Sequence, residues 1–154
     1  MPHREGIREY LAKADLSGKN VIDWGCGTKP IKNYLPGADH YFGVDILMHV
    51  GADLVADICE PLKLPMSYDA AFCLEVLEHV KYPMNALENI FNHLDEGGVL
   101  YFSVPFLYPV HSDHDLWRYT DQGLHFMLGE AGFKNIEVKP TTFDKQGWVG
   151  KAEK

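Results

Sequence analysis

The stretch Val21-Ile22-Asp23-Trp24-Gly25-Cys26-Gly27-Thr28-Lys29-Pro30 decides how the rest of the chain is read. A short apolar, β-branched run enters a Gly-x-Gly turn, as a buried parallel strand does where its backbone must come close to a ligand. A dinucleotide fingerprint needs a third glycine three places after the second, and that place is Pro30, which disfavours tight packing around a pyrophosphate. No Walker lysine motif is present either. What remains is a nucleoside ligand without pyrophosphate. Asp45, twenty residues after Gly25, ends the next apolar run, where a carboxylate can accept both hydroxyl hydrogens of a ribose. Asp57 closes the run after that, in position to receive an adenine amino group.

Outward from this segment, strands and helices alternate. Ile7, Tyr10 and Leu11 predict an amphipathic helix over about residues 4–14, ended by the polar turn at 15–18. Residues 41–45, 52–57, 68–73 and 98–104 read as strands. Between the last two lies a helix with Pro83 in its first turn, Met84, Leu87, Phe91 and Leu94 on one face, and Gly97-Gly98 beyond it. Thr120 caps a further helix carrying Leu124, Met127, Leu128 and Ala131 and closed by Gly132. Residues 135–143 then form a strand, with a partner near Trp148. The expected fold is α/β, a doubly wound, mostly parallel sheet in one domain spanning 1–154, with its ligands outside the carboxyl ends of the strands. The six residues 46–51 are short for a parallel crossover, which usually takes a dozen or more.

Composition narrows the function. In 154 residues, 46% hydrophobic and 23% charged, 14 Lys+Arg against 22 Asp+Glu leave a net charge of −8. That sign repels phosphate backbones, and there is no basic patch to offset it, so no nucleic-acid partner is expected. The three cysteines, Cys26, Cys59 and Cys73, have neither disulfide-framework nor zinc-site spacing. No leader and no membrane-spanning run is read, which places the chain in the cytoplasm.

Taken together, Asp23 to Pro30, Gly43-Val44-Asp45, Ala56-Asp57-Ile58, Tyr68-Asp69 and Glu75-Val76-Leu77-Glu78-His79-Val80 resemble the class I S-adenosylmethionine-dependent methyltransferases of the small-molecule or glycan (type 11-like) kind, over nearly the whole chain. The resemblance implies a Rossmann-like fold with S-adenosylmethionine as cofactor. It further implies that the backbone of Gly25, Cys26 and Gly27 borders the methionine part and that Asp23 orients its amino group. Asp45 with Ile46 holds the ribose, Asp57 and Ile58 face the adenine, and Leu74 and Glu75 line the floor. The chain departs from the pattern at Lys29, where many members carry a third glycine, and the cationic side chain is expected to point to solvent or to a carboxylate. The second and third helices are shortened, and the closing C-terminal hairpin is expected to be short or incomplete.

The segment from Phe106 to Thr120 is rich in aromatic and titratable groups at a strand end. His111, His114 and His79, in that order, are candidate bases for a hydroxyl acceptor, because methyl transfer is an in-line displacement that otherwise needs mainly alignment. His111, Asp113, His114 and Asp115 are ligand types, yet hard cations prefer oxygen and zinc prefers preformed His/Cys sets, so no metal is expected. The expected function is O-methylation of a small molecule or glycan. A catalytically silent cofactor-binding or scaffolding domain is the competing reading, and a nicotinamide oxidoreductase is opposed by Pro30.

Overall fold

The computed structural model describes residues 2–28, 31–32 and 37–154; Lys29 and Pro30, and with them the expectation for the lysine, lie outside the described residues. In chain order the elements are α1 (Pro2–Leu11), β1 (Asn20–Trp24), β2 (His40–Asp45), β3 (Leu54–Val55), β4 (Tyr68–Leu74), α2 (Pro83–His93), β5 (Leu94–Pro105), α3 (Asp121–Glu130), β6 (Lys134–Pro140) and β7 (Gly147–Glu153). The strands form one sheet in the order β3-β2-β1-β4-β5-β7-β6. The pairs from β3 to β5 are parallel, and β7 runs antiparallel between β5 and β6.

Both faces of the sheet are covered, and the period-2 alternation of strand side chains assigns each residue to a face. On one face Val21, Ala70, Phe72 and Val149 pack with Ile7 and Leu11 of α1. On the other, Ile22, Trp24, Ala71, Cys73, Leu100, Phe102 and Val104 pack with Leu87 and Ile90 of α2 and Leu124 and Leu128 of α3. Each such large side chain contributes about 1.5–3 kcal/mol on full burial. The central strands are buried on both faces, which is why they read as continuous apolar runs.

The short crossover is real, and its geometry explains how it closes. Only Val44 with Leu54 and Asp45 with Val55 pair in parallel, and a 3-10 turn at Met48–Val50 stands where a helix would. Gly51 takes the left-handed conformation (φ 74°) after that turn. The Asp53 carboxylate accepts from the Gly43 N–H (2.7 Å) while its own N–H donates to the Gly43 carbonyl (2.8 Å), which brings β3 back beside β2. β3 is therefore two residues rather than the expected six.

Other boundaries move too: α1 ends at Leu11 and β6 at Pro140, each three residues short of the expected end. Leu94, expected on the face of α2, begins β5 and pairs with Tyr68, with Gly97 at φ 77° inside the strand and a register shift opposite it. The closing hairpin is short but complete as a pair: β7 is in register with β5 from Gly147 opposite Pro105 to Glu153 opposite Val99. α3 begins as expected, with the Thr120 hydroxyl accepting from the Gly123 N–H (3.0 Å).

α1 lies close enough to the C-terminal segment that a Cβ on Gly6 would stand 2.0 Å from the Thr141 carbonyl oxygen. Ala is favoured over Gly in a helix by about 0.5–1 kcal/mol, but forcing a methyl against backbone costs about 1–3 kcal/mol and wins here. Gly6→Ala is expected to lower the urea-unfolding free energy by about 1–3 kcal/mol. Gly129→Ala in α3, where nothing lies within 4 Å of the added carbon, is expected to leave it unchanged or raise it slightly.

Candidate active site

The carboxyl ends of β1, β2 and β4 converge on a cavity of about 680 Å³. Its walls include Gly25, Asp45, Ile46, Asp57, Ile58 and Glu75 at one end and His79, His111 and His114 at the other. The turn after β1 is shaped by its neighbour: the N–H groups of Gly25 (2.8 Å) and Cys26 (3.0 Å) both donate to the Val44 carbonyl. Gly25 has φ 70°, and a Cβ there would meet Val76 at 2.3 Å. Gly27, at φ 49°, has nothing among the described residues within 4 Å of where a Cβ would stand.

Asp45 joins two loops. Its carboxylate accepts from the Gly27 N–H (2.8 Å) on one oxygen and from the Leu47 N–H (2.9 Å) on the other. Asp57 accepts from the Cys59 N–H (2.8 Å), holding the turn that presents Ile58 to the cavity. Ile46 and Leu47, both exposed, and Val44, Ala56, Val76 and Val80 make the lining largely apolar.

Four expected contact residues, Leu74, Asp23, Cys26 and Gly27, are not among the residues that line the cavity. Leu74 follows Phe72 by two residues, so it shares that side chain's face and packs toward α1 rather than forming the cavity floor. Asp23 is buried, accepts from the Tyr41 hydroxyl (2.5 Å) and does not line the cavity among the described residues. Cys26 is likewise buried behind the turn.

Glu75 holds a left-handed backbone (φ 56°), a conformation that costs a non-glycine residue about 1–3 kcal/mol. Its surroundings impose it: its N–H donates to the Ser103 carbonyl (3.0 Å), the Ser103 hydroxyl donates to Oε1 (2.9 Å), and His3 Nε2 sits 3.0 Å from Oε2. The other ring nitrogen of His3 is 2.7 Å from the Thr141 hydroxyl. His3 was invisible as a site-supporting residue in sequence, since nothing in α1 signals which strand end it will meet.

At the opposite end, the turn after β4 is fastened to the segment after β5. The Glu78 carbonyl accepts from the N–H of Leu116 (2.7 Å) and Trp117 (3.2 Å), the Trp117 indole donates to the Val80 carbonyl (2.9 Å), and the Tyr119 hydroxyl donates to the Leu77 carbonyl (2.7 Å). Arg118 forks onto both oxygens of Asp115, which holds that carboxyl well below the usual carboxylate range. The same Asp115 accepts from the His111 N–H (3.1 Å) and meets His111 Nδ1 at 2.9 Å. Thus of the four candidate ligand types at 111–115, Asp115 serves Arg118 and His111, and Asp113 does not line the cavity.

The structure instead gathers Glu78, His79 and His111, whose ligand atoms lie within 4.8 Å of one another. Glu78 is fully buried, and neither carboxylate oxygen has a hydrogen-bond partner among the described residues. Burial first, and the negative charge of Glu75 second, push its carboxyl up to about 9. The i, i+1 spacing of Glu78 and His79 was visible in sequence; their meeting with His111 depends on how the segment after β5 folds back.

Comparison with known proteins agrees with this geometry. Residues 4–138 match the model of the methyltransferase domain family. The chain belongs to that family. This methyltransferase domain is 26% identical over 155 aligned residues to the tRNA U34 carboxymethyltransferase of Campylobacter hominis, covering 90% of this chain and 51% of that protein. It is 27% identical over 136 residues to the ubiquinone biosynthesis O-methyltransferase of Neisseria meningitidis serogroup C, covering 73% of this chain and 57% of that one. The chain thus spans about half the length of the curated relatives it matches. Among solved structures, an S-adenosylmethionine dependent methyltransferase from Mesorhizobium loti superposes with a TM-score of 0.76 at 18% identity, covering 100% of this chain and 98% of that one. The [4+2]-cyclase SpnF superposes with a TM-score of 0.79 at 15% identity, covering 99% and 80%.

The Asp115–Arg118 fork is the anchor of the segment after β5. Arg118→Ala would leave an enclosed carboxylate with its strongest partner gone, a loss of about 1.5–3 kcal/mol for hydrogen bonds to a charged group. The variant is expected to unfold at correspondingly lower urea and to expose the 106–118 segment to limited proteolysis.

Proposed function

We propose that the domain transfers a methyl group from S-adenosylmethionine to a hydroxyl of a small, largely apolar acceptor. The observation that carries the reading is one cavity with two chemically different ends. The Gly25 backbone with Asp45 and Asp57 lies at the first, and three histidines lie at the second. The residues present fit the cofactor. Gly25, which puts no side chain on the cavity wall, leaves room for the methionine part, the cavity-lining Asp45 carboxylate is suited to ribose hydroxyls, and Asp57 beside the apolar Ile58 is suited to an amino-substituted flat ring.

When bound, the cofactor supplies an activated methyl carbon and a sulfur leaving group, so no protein nucleophile is required. The chain's own task is alignment and proton removal. Asp45 fixes the ribose end against the two loops it already ties. The turn at Glu75, locked by His3 and Ser103, sets the wall between the two ends. The acceptor's hydroxyl proton passes to the histidine cluster, while its oxygen closes on the methyl carbon.

Val80, next to His79 on the cavity wall, favours an acceptor with apolar surface beside its hydroxyl over a glycan. The tRNA-modifying relative raises nucleic acid as an acceptor, and the net charge of −8 argues against it for this chain. The cyclase neighbour keeps a second reading open, in which the fold is retained for other chemistry, since a fold alone does not select a reaction.

Calorimetric titration is expected to show saturable binding of S-adenosylmethionine and of its demethylated product, and none of NAD; the reverse pattern defeats the proposal. Asp45→Ala is expected to weaken that binding by about 1.5–3 kcal/mol. With an acceptor found by screening hydroxylated phenols, lipids and sugars for demethylated-cofactor release, His111→Ala and His114→Ala are expected to keep cofactor affinity. At least one of them should lose about 10²–10⁴-fold in turnover. Cofactor binding without release on any acceptor supports the silent-domain reading instead.

A further inference from the structure

We propose that Glu78, His79 and His111 form a seat for a divalent first-row transition cation at the acceptor end of the cavity. The argument begins with the protons on the two rings. His79 Nδ1 lies 3.0 Å from the His114 carbonyl oxygen, which can only accept, so Nδ1 carries the hydrogen. His111 Nδ1 lies 2.9 Å from an Asp115 carboxylate oxygen that Arg118 also holds, so it too points its hydrogen at an acceptor. With Nδ1 of each ring committed to an oxygen, Nε2 is the atom each ring can offer to a ligand, and these two nitrogens lie 3.3 Å apart.

The third group completes the set. Glu78 Oε1 is 3.5 Å from His79 Nε2, and the carboxylate is buried without a hydrogen bond. A carboxyl group buried without a hydrogen bond is costly, and a cation beside it would supply the missing partner. Ligand atoms held about 2.0–2.1 Å from a zinc-sized ion at tetrahedral angles stand about 3.3–3.4 Å apart. The 3.3 and 3.5 Å separations on either side of His79 Nε2 are close to that spacing, and all three ligand atoms lie within 4.8 Å of one another.

Its surroundings also resemble a metal site's outer shell. Asp115 and the His114 carbonyl take the remote N–H of each ring, which fixes tautomer and orientation as partners of metal-bound histidines do. Two imidazoles and one carboxylate favour zinc, iron, cobalt or manganese over magnesium, which prefers oxygen ligands and keeps its waters. His79 and His111 line the cavity, so the remaining coordination positions open toward the acceptor. The cation's role rests on the methyltransferase reading: it draws in the acceptor's hydroxyl oxygen and eases loss of its proton, which His114, on the same wall, is placed to take.

Co2+ is the probe, added to tag-free, chelator-treated protein and followed by its visible d–d absorption. Saturation at one equivalent, displacement by Zn2+ and little response to Mg2+ are expected. His79→Ala and His111→Ala should abolish the saturable band, and Asp115→Asn should weaken Co2+ binding about 10–100-fold. His125→Ala, in α3 beside Asp121, should bind as the parent does. Calorimetry with S-adenosylmethionine on the same samples reports folding and the cofactor reading separately. Cofactor binding with no saturable Co2+ band overturns the cation seat and leaves a proton shared by the two rings. A band undiminished in both histidine variants overturns it as well. A band that the variants lose, in protein that does not bind the cofactor, keeps the seat and removes the role assigned to it.

Discussion

Asp45 carries the constraint on which the cofactor end depends. One carboxylate accepts from the loop after β1, at Gly27, and from the loop after β2, at Leu47. Hydrogen bonds to a charged group contribute about 1.5–3 kcal/mol, enough for a single side chain to set the relative position of two strand ends. The Val44 carbonyl reinforces this by taking two further N–H groups from the same turn. The turn can be held that tightly only because Gly25 and Gly27 accept positive φ, and because Gly25 offers no side chain to Val76. The cavity is therefore walled by backbone at the place where a close approach is most useful.

The cavity end lined by His79, His111 and His114 is organised differently, by exchange between two segments that are distant in sequence. The turn at 75–80 offers its carbonyls, and the segment at 114–119 supplies N–H, indole and hydroxyl donors to them. Arg118 neutralises Asp115, which is thereby free to orient His111. Glu75, Glu78 and Asp115 lie close together here; Glu75 and Asp115 accept hydrogen bonds, whereas Glu78 meets His79 only at 3.5 Å and accepts none among the described residues.

The relatives fit this division of labour. Named functions among them include O-methylation in ubiquinone biosynthesis, carboxymethyl transfer to tRNA and a [4+2] cyclisation. What varies across such proteins is what meets the reactive end, so the fold of this chain argues for its cofactor more strongly than for its acceptor. The apolar walls and the acidic balance are properties of this sequence in particular, and they separate its candidate acceptors.

The linear order of residues determined a good deal. Gly25-x-Gly27 with Pro30 argued against a dinucleotide, runs such as 21–24 and 68–73 marked buried parallel strands, and the acid at 45 marked a strand end, whereas Asp57 lies two residues beyond β3. These features are local: a glycine's allowed φ and a strand's alternation need no distant partner. Where a face had to be chosen, local reasoning failed, as with Leu74, because one step of a period-2 pattern moves a side chain across the sheet. Leu94 and the two-residue β3 also escaped it, since strand length is set by the neighbour's register. Only tertiary structure decided that His3 would lock Glu75 and that Glu78, His79 and His111 would share one point in space. Those contacts span tens of residues and arise when β5 returns beside β4 and α1 settles on β7, a placement that no short-range spacing encodes.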